Sequence, residues 1–191
     1  MNILSHYLPK QSVEVIRHWI EKYPCKLIIK KARSSKLGDY RFFNGKHFIS
    51  INNNLNPYSF LITLTHEIAH MIVKEEFSSH VRPHGTEWKN TFQKLMLRLL
   101  PLFPQNIQKH LALHLKNPKA STSSDYNLVL ALREYDQKPT LTISDIPFGS
   151  IFSTPNGKQF IKEKKIKKRF QCKSLQNQRL YLFNPIAEVI I

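Results

Sequence analysis

His66-Glu67-Ile68-Ala69-His70 is the stretch of this chain whose residue types and spacing could do chemistry. On an α-helix, positions i and i+4 lie on one face, a turn apart. His66 and His70 can therefore hold one metal ion from the same side. Glu67 sits beside the first of them and can accept a proton from a metal-bound water. A third histidine follows in His84-Gly85-Thr86-Glu87-Trp88. Its loop position before a helix suits a third ligand, and Gly85 permits a close backbone approach. Glu87 is the alternative, because a later glutamate completes the site in other zinc peptidases. Three neutral imidazoles leave a fourth zinc position open, which separates a catalytic site from a closed structural one. The competing reading is that two histidines on a half-buried helix are ordinary core or surface groups. Hydrolysis of an acyl bond at such a site would also need a donor for the oxyanion. His80, Arg82 and Tyr58 are near in sequence, and nothing in the residue pattern chooses among them.

Such a site requires a buried helix. Phe60, Leu61, Ile62, Leu64, Ile68, Met71 and Ile72 flank the motif and supply the apolar surface. Asn56 can cap this helix and Pro57 can start it, so it is expected from Pro57 to about Glu76. Upstream, Val13, Ile16, Trp19, Ile20 and Tyr23 fall at helical spacing over 11–23, with Ser12 as cap and Pro24 as the end. Leu27-Ile28-Ile29 reads as a short strand. Residues 41–43 and 47–51 flank Asn44-Gly45-Lys46, a hairpin signal. Further helices are expected from near Thr86 to Leu99 or Leu100 and from Gln105 to Leu115, separated by Pro101 and Pro104.

Residues Asn117 to Asp125 are small and polar and read as a linker. Beyond them the pattern turns to β, with segments near 127–135, 148–152, 158–162, 166–172 and 178–184. Asn156-Gly157 is another turn signal. Between Lys158 and Lys173 there are eight Lys/Arg and one acid, interleaved with Phe160, Ile161, Ile166 and Phe170. A basic β surface with aromatics can track a phosphate backbone and stack bases. The candidate nucleic-acid contacts are Lys158, Lys162, Lys164, Lys165, Lys167, Lys168 and Arg169. The alternative is that these lysines blunt the edge of a small sheet.

The whole chain of 191 residues carries a net charge of +16, with a pI near 9.9. That excess favours a polyanionic partner, most simply DNA or RNA. No apolar run reaches the roughly 18–20 residues that span a bilayer. The first residues show no basic n-region followed by an apolar stretch, so no signal peptide is expected. Two cysteines, Cys25 and Cys172, make a disulfide framework improbable and fit a reducing cytosol. The expected location is cytoplasmic, and the charge is compatible with association with the nucleoid. No feature calls for a membrane or an obligate oligomer.

The order of these motifs resembles the SprT-like zinc metalloproteases, a family that includes the DNA–protein crosslink protease Spartan. The resemblance begins at Ala32-Arg33-Ser34-Ser35-Lys36-Leu37-Gly38 and continues through Ile51-Asn52-Asn53-Asn54-Leu55-Asn56. It runs on through Leu64-Thr65-His66-Glu67-Ile68-Ala69-His70 and closes at His84-Gly85-Thr86-Glu87-Trp88. It implies that His66, His70 and His84 bind zinc and that Glu67 is catalytic. Many members carry a C-terminal zinc ribbon with four cysteines. Here the matching region, around Phe152 to Phe183, keeps only Cys172. The ribbon path is then expected to be held by Phe152, Phe160, Phe170, Tyr181 and Leu182, as in a short bacterial branch with a cysteine-depleted tail.

The expected fold is α+β: a zincin-like metalloprotease domain over 1–117, a linker over 118–126, and a basic β-rich subdomain over 127–191. The expected function is a zinc-dependent endopeptidase with one Zn2+ ion. It would be DNA-associated and would cleave proteins bound or crosslinked to DNA, Glu67 activating a zinc-bound water. The alternative is a nucleic-acid-binding protein with a structural or catalytically idle zinc site.

Overall fold

A computed structural model describes residues 3–33, 35–77, 81–121, 125–138 and 140–191. The chain forms two compact units, Met1–Gln137 and Lys138–Ile191.

The first unit mixes helices with a small sheet. Its elements are α1 (Leu4–Tyr7), α2 (Val13–Lys22), β1 (Cys25–Lys30), β2 (Gly38–Phe43), β3 (Lys46–Asn52), α3 (Pro57–Glu76), α4 (Thr86–Leu99), α5 (Gln105–Leu115) and α6 (Tyr126–Arg133). The sheet order is β1-β3-β2, with β1 parallel and β2 antiparallel to the central strand. Asn44 and Gly45 form the two-residue β2–β3 turn with φ of 48° and 71°, the left-handed pair that a tight hairpin requires. Strand alternation sends Ile49 and Ile51 into the core.

α3 is the centre of this unit. Phe60, Leu61, Leu64, Ile68, Ala69 and Met71 are fully buried, so the helix is covered nearly all round. Its start follows the expected chemistry. The Asn56 side chain accepts hydrogen bonds from the Tyr58 and Ser59 main-chain N–H groups at 3.1 and 2.9 Å. The Asn56 amide also donates to the Leu132 carbonyl at 2.9 Å and to Asp136 at 2.6 Å.

That second role explains a departure from expectation. The stretch 127–135, expected as a strand, is mostly the helix α6, whose Leu128, Ala131 and Leu132 are buried at i, i+3 and i+4. It packs with α5 and is tied to the cap of α3. The first unit therefore extends through 137, past the expected linker. Ser12 also departs. Its hydroxyl donates to the Pro9 carbonyl at 2.7 Å rather than capping α2, because a 3-10 turn over Lys10–Ser12 precedes that helix.

The second unit is an antiparallel meander of β4 (Ile151–Ser153), β5 (Gln159–Ile166), β6 (Arg169–Ser174) and β7 (Leu180–Phe183). Gly157, at φ 81°, lies in the β4–β5 turn. Ile143, Ile146, Phe152, Phe160, Phe170, Cys172 and Val189 form its core. Of the residues expected to hold it, Tyr181 is partly exposed with its ring edge on Phe160, and Leu182 points to solvent.

Candidate metal centre

α3 places His66 and His70 one turn apart on its partly open face. His84 comes from the turn before α4. The Gly85 N–H donates to the Arg82 carbonyl at 2.9 Å, closing a β-turn with Pro83 second and His84 third. His84 has φ 57°, a left-handed conformation that most L-residues avoid, and with Pro before it this is the pattern of a type II turn. Such strain, roughly 1–3 kcal/mol, persists where the surroundings dictate it and clusters at functional sites. Gly85 is required by sterics: a Cβ there would lie 2.9 Å from the Arg82 carbonyl oxygen.

The result is a convergence of three nitrogens. The Nε2 atoms are 3.2 Å apart for His66–His70, 3.0 Å for His70–His84 and 3.0 Å for His84–His66. Ligands at about 2.05 Å around a tetrahedral ion stand about 3.3 Å from one another. These side chains are thus close enough to bind one metal ion, and among the described residues they are the group that is. Burial, then the neighbouring imidazoles, pushes His66 down to about 3. Burial and His84 push His70 down to about 4, and burial lowers His84 as well. All three are neutral at pH 7, with lone pairs free for a metal. Glu87, the alternative ligand, lies outside the group.

Trp88 on α4 forms the floor beneath these rings. Its indole is 4.6 Å from His66, 5.4 Å from His70 and 4.6 Å from His84, centroid to centroid, and Phe92 stacks on it at 5.0 Å. The apolar spacing of α4 marks Trp88 as core, and only the assembled site shows that it sets the orientation of all three imidazoles.

Glu67 is buried and faces β2. Burial first, then the Asp39 charge, raises its pKa to about 8, against smaller opposing effects from Lys36, a main-chain hydrogen bond from Tyr40, and Arg33. A dication at the three histidines would pull it back down. Gly38 is the residue that makes room. A Cβ at position 38 would lie 2.6 Å from a Glu67 carboxylate oxygen and 2.8 Å from the Thr63 methyl. A glycine opening a strand is a known sign of close approach, but the partner, in α3, is not written in the local sequence.

A cleft of about 810 Å³ lies over His66, Glu67, His70 and His84. Lys36, Tyr40, Lys74 and Arg82 border it, so its rim is basic. Of the sequence candidates for an oxyanion donor, Arg82 borders the cleft. Tyr58 packs instead against Phe103 and Tyr135. His80 lies outside the described residues. Tyr40 was not a candidate in the sequence. Its ring is parallel to His70 at 6.3 Å, and its hydroxyl meets His47 Nδ1 at 2.9 Å. His47 Nε2 in turn meets Glu75 at 3.0 Å, so a side-chain chain braces the metal face of α3 against the sheet.

The candidate nucleic-acid residues divide. Lys158, Lys164, Lys165, Lys167, Lys168 and Arg169 are exposed. The last five crowd the β5–β6 hairpin, whose tip at Lys167 has φ 52°. Lys162 does not belong with them. It is 3% exposed, its ammonium donates to the Ile143 and Ile146 carbonyls at 2.7 and 2.6 Å, and it lies 4.0 Å from the Phe170 ring centroid. Strand alternation turns it into the small core opposite Cys172. Phe160 and Phe170 are buried there too and offer no face for base stacking.

No helix among the described residues is long and apolar enough to cross a membrane. The family model of the SprT-like family matches residues 11–109. Protein SprT of Vibrio atlanticus (strain LGP32) is 31% identical over 81 residues, which are 41% of this chain and 48% of that protein. The chain thus matches about half the length of this curated relative. No solved structure matches. The span matched by the family model contains the sheet, α3, His84 and most of the residues that line the cleft, and the chain belongs to the SprT-like family.

Proposed function

We propose that this chain is a zinc-dependent endopeptidase of zincin-like build that cuts proteins bound or crosslinked to DNA. The observation that carries the reading is the three neutral imidazole nitrogens converging beside a buried glutamate at the foot of a large cleft. An all-imidazole donor set with an open position suits zinc. When bound, zinc supplies Lewis acidity, lowering the pKa of water and polarising a carbonyl. His66, His70 and His84 hold the ion, and Trp88 fixes their rings. Glu67 takes the proton of the attacking water and returns it to the leaving amine. Its burial favours this role, because a desolvated carboxylate is a stronger base than one in water. Gly38 keeps Glu67 in place by leaving its carboxylate room.

The polyanion part of the reading rests on charge. The second unit carries ten Lys/Arg against three acids, and the cleft rim is basic. Both cysteines are free, which suits a reducing cytoplasm.

The test combines metal analysis with cleavage assays. One zinc per chain is expected, together with DNA-dependent cleavage of the protein itself or of a DNA-bound protein, abolished by Glu67→Gln. Cleavage that survives this substitution unchanged would defeat the peptidase reading. Affinity for DNA that does not fall as salt rises would defeat the polyanion reading, since counterion release demands a negative slope.

A further inference from the structure

The three-stranded sheet of the first unit has two faces: one packs on the helices, and the other is covered where Arg33 and the Lys36 main chain lie on the buried Ser50 and Asn52 but is open toward the hairpin end. Tyr40, Ile49, Ile51, Leu27 and Ile29 face the helices. The opposite face follows from the register. Lys26, Phe48 and Arg41 form one row across β1, β3 and β2, and Ile28, Ser50 and Asp39 form the next. Beyond them Lys30 pairs with Asn52, which is buried with its amide donating to the Arg33 and Lys36 carbonyls, and Phe43 and Lys46 pair at the open hairpin end. Ile28 and Phe48 are partly buried yet belong to neither core. Phe43 is 65% exposed, and Lys26, Lys30, Arg41 and Lys46 are exposed.

We infer that this outer sheet face is a platform for single-stranded nucleic acid. It rests on the polyanion part of the proposed function and not on peptide cleavage. Three features select that partner. The first is charge. Asp39, the acid of this face, already accepts from Lys36 at 2.7 Å and Arg41 at 2.8 Å. Lys26, Lys30, Lys46 and Arg33 add further positive charge. The second is a built-in brace. Arg33 Nε donates to the Asn52 side chain at 2.7 Å, and its guanidinium reaches the Ser50 hydroxyl at 3.1 Å, which holds this cation against the sheet. The third is aromatic surface. Phe43 and Phe48 are diagonal neighbours on adjacent strands, roughly 7–8 Å apart, which leaves room for one base on each. Sheets that display aromatics among cations bind single strands by stacking bases and tracking phosphates. In a duplex the base faces are already stacked, and a bilayer has no need of spaced ring platforms.

The same strand serves both places. β2 turns Arg41 to this face while Gly38, Asp39 and Tyr40 border the cleft. A strand bound along it lies next to the route by which a crosslinked protein would enter.

The experiment is fluorescence anisotropy of the full chain with a labelled mixed-sequence oligonucleotide, as single strand and as duplex, over a salt series. Phe43→Ala is expected to weaken single-strand binding roughly 5- to 100-fold, the range for loss of one stacked base, and to leave duplex binding nearly unchanged. Phe43→Tyr should restore it. Lys26→Gln and Lys46→Gln should each reduce the salt slope by about 0.7, the value for one phosphate contact on a single strand. Phe43 is exposed, so thermal melting should be unchanged and loss of fold is checked directly. Single-strand binding that ignores these substitutions but vanishes when Lys164, Lys165, Lys167, Lys168 and Arg169 are changed to Gln would overturn the platform and leave the nucleic-acid partner standing on the second unit. Duplex binding without single-strand binding at low salt would overturn the platform alone, and binding to neither would overturn the nucleic-acid partner as well, while the peptidase reading is tested separately by Glu67→Gln. Phe43-dependent capture by phosphatidylserine vesicles, stronger than binding to the oligonucleotide, would make the face a lipid surface and overturn it too.

Discussion

Glu67 and Lys162 are both buried ionisable side chains, one in each unit, and they are used in opposite ways. Lys162 lies among Phe148, Phe170 and Cys172, with its ammonium spent on two carbonyls. Glu67 lies beside three converging imidazoles at the wall of a cleft. A buried charge that donates to loop carbonyls and lies on aromatic rings holds a fold together. A buried carboxyl that borders open space, with its pKa moved far from the ordinary value, is a candidate for proton transfer. Burial alone therefore does not mark function. What the group's remaining valences face does.

Substitutions at the two positions should give opposite signatures. Glu67→Gln should lower peptide cleavage by roughly 10²–10⁴-fold, the scale of a lost general base, while zinc content and melting temperature hold. Cleavage within a few-fold of the parent would erase the contrast. Lys162→Ala should do the reverse. It leaves the Ile143 and Ile146 carbonyls without their donor and a void beside Phe170, and should cost roughly 2–4 kcal/mol in denaturant unfolding of the second unit. Zinc binding should persist. A loss under 1 kcal/mol would show that Lys162 is incidental to this core.

Gly38→Ala sharpens the Glu67 side. The added methyl would meet the carboxylate at 2.6 Å and must displace it. Activity should fall about 10–100-fold with zinc retained, since a shift near 1 Å at a reacting group has that effect. Unaltered kinetics would mean that the position of Glu67 is not critical.

The pH response of the metal-free protein gives a smaller effect, read by melting with a chelator present. His66 and His70, near 3 and 4 when folded, take up protons on unfolding once the pH is below about 6.5. They therefore contribute stability above that value, and it is lost as the pH falls toward 4. Glu67, near 8 when folded, acts the other way: its contribution is full below about 4.5 and is lost as the pH rises through 8. Two histidines outweigh one carboxyl between 4.5 and 6.5, and the carboxyl acts alone from 6.5 to 8. The stability contributed by these groups should peak near pH 6.5. A melting temperature that climbs steadily through pH 8 would show that Glu67 is not raised as described.

Much of the site is legible because its determinants are local. The i and i+4 spacing of His66 and His70 acts through the helix that carries them. The Asn56-Pro57 start and the Asn44-Gly45 turn are decided within four residues. The stretch 127–135 reads as a strand because short apolar runs suit either structure, and the contact with the Asn56 amide that favours the helix comes from 76 residues away. Lys162 misled because composition counts cations without saying which face of a strand they occupy, and the irregularity between Lys162 and Lys164 changes the alternation within the basic run.

By itself the sequence pointed to the three candidate ligands His66, His70 and His84, to Glu67 as the candidate proton acceptor, to the α+β class and to the family, since each depends on residue identity and short-range geometry. The tertiary structure alone decided four things. It set Gly38 against Glu67, laid Trp88 beneath three imidazoles, and turned Lys162 inward. It also left the sheet face bearing Phe43 and Phe48 outside the core. Each depends on long-range packing, where strand register and close approach are fixed by partners far away in the chain.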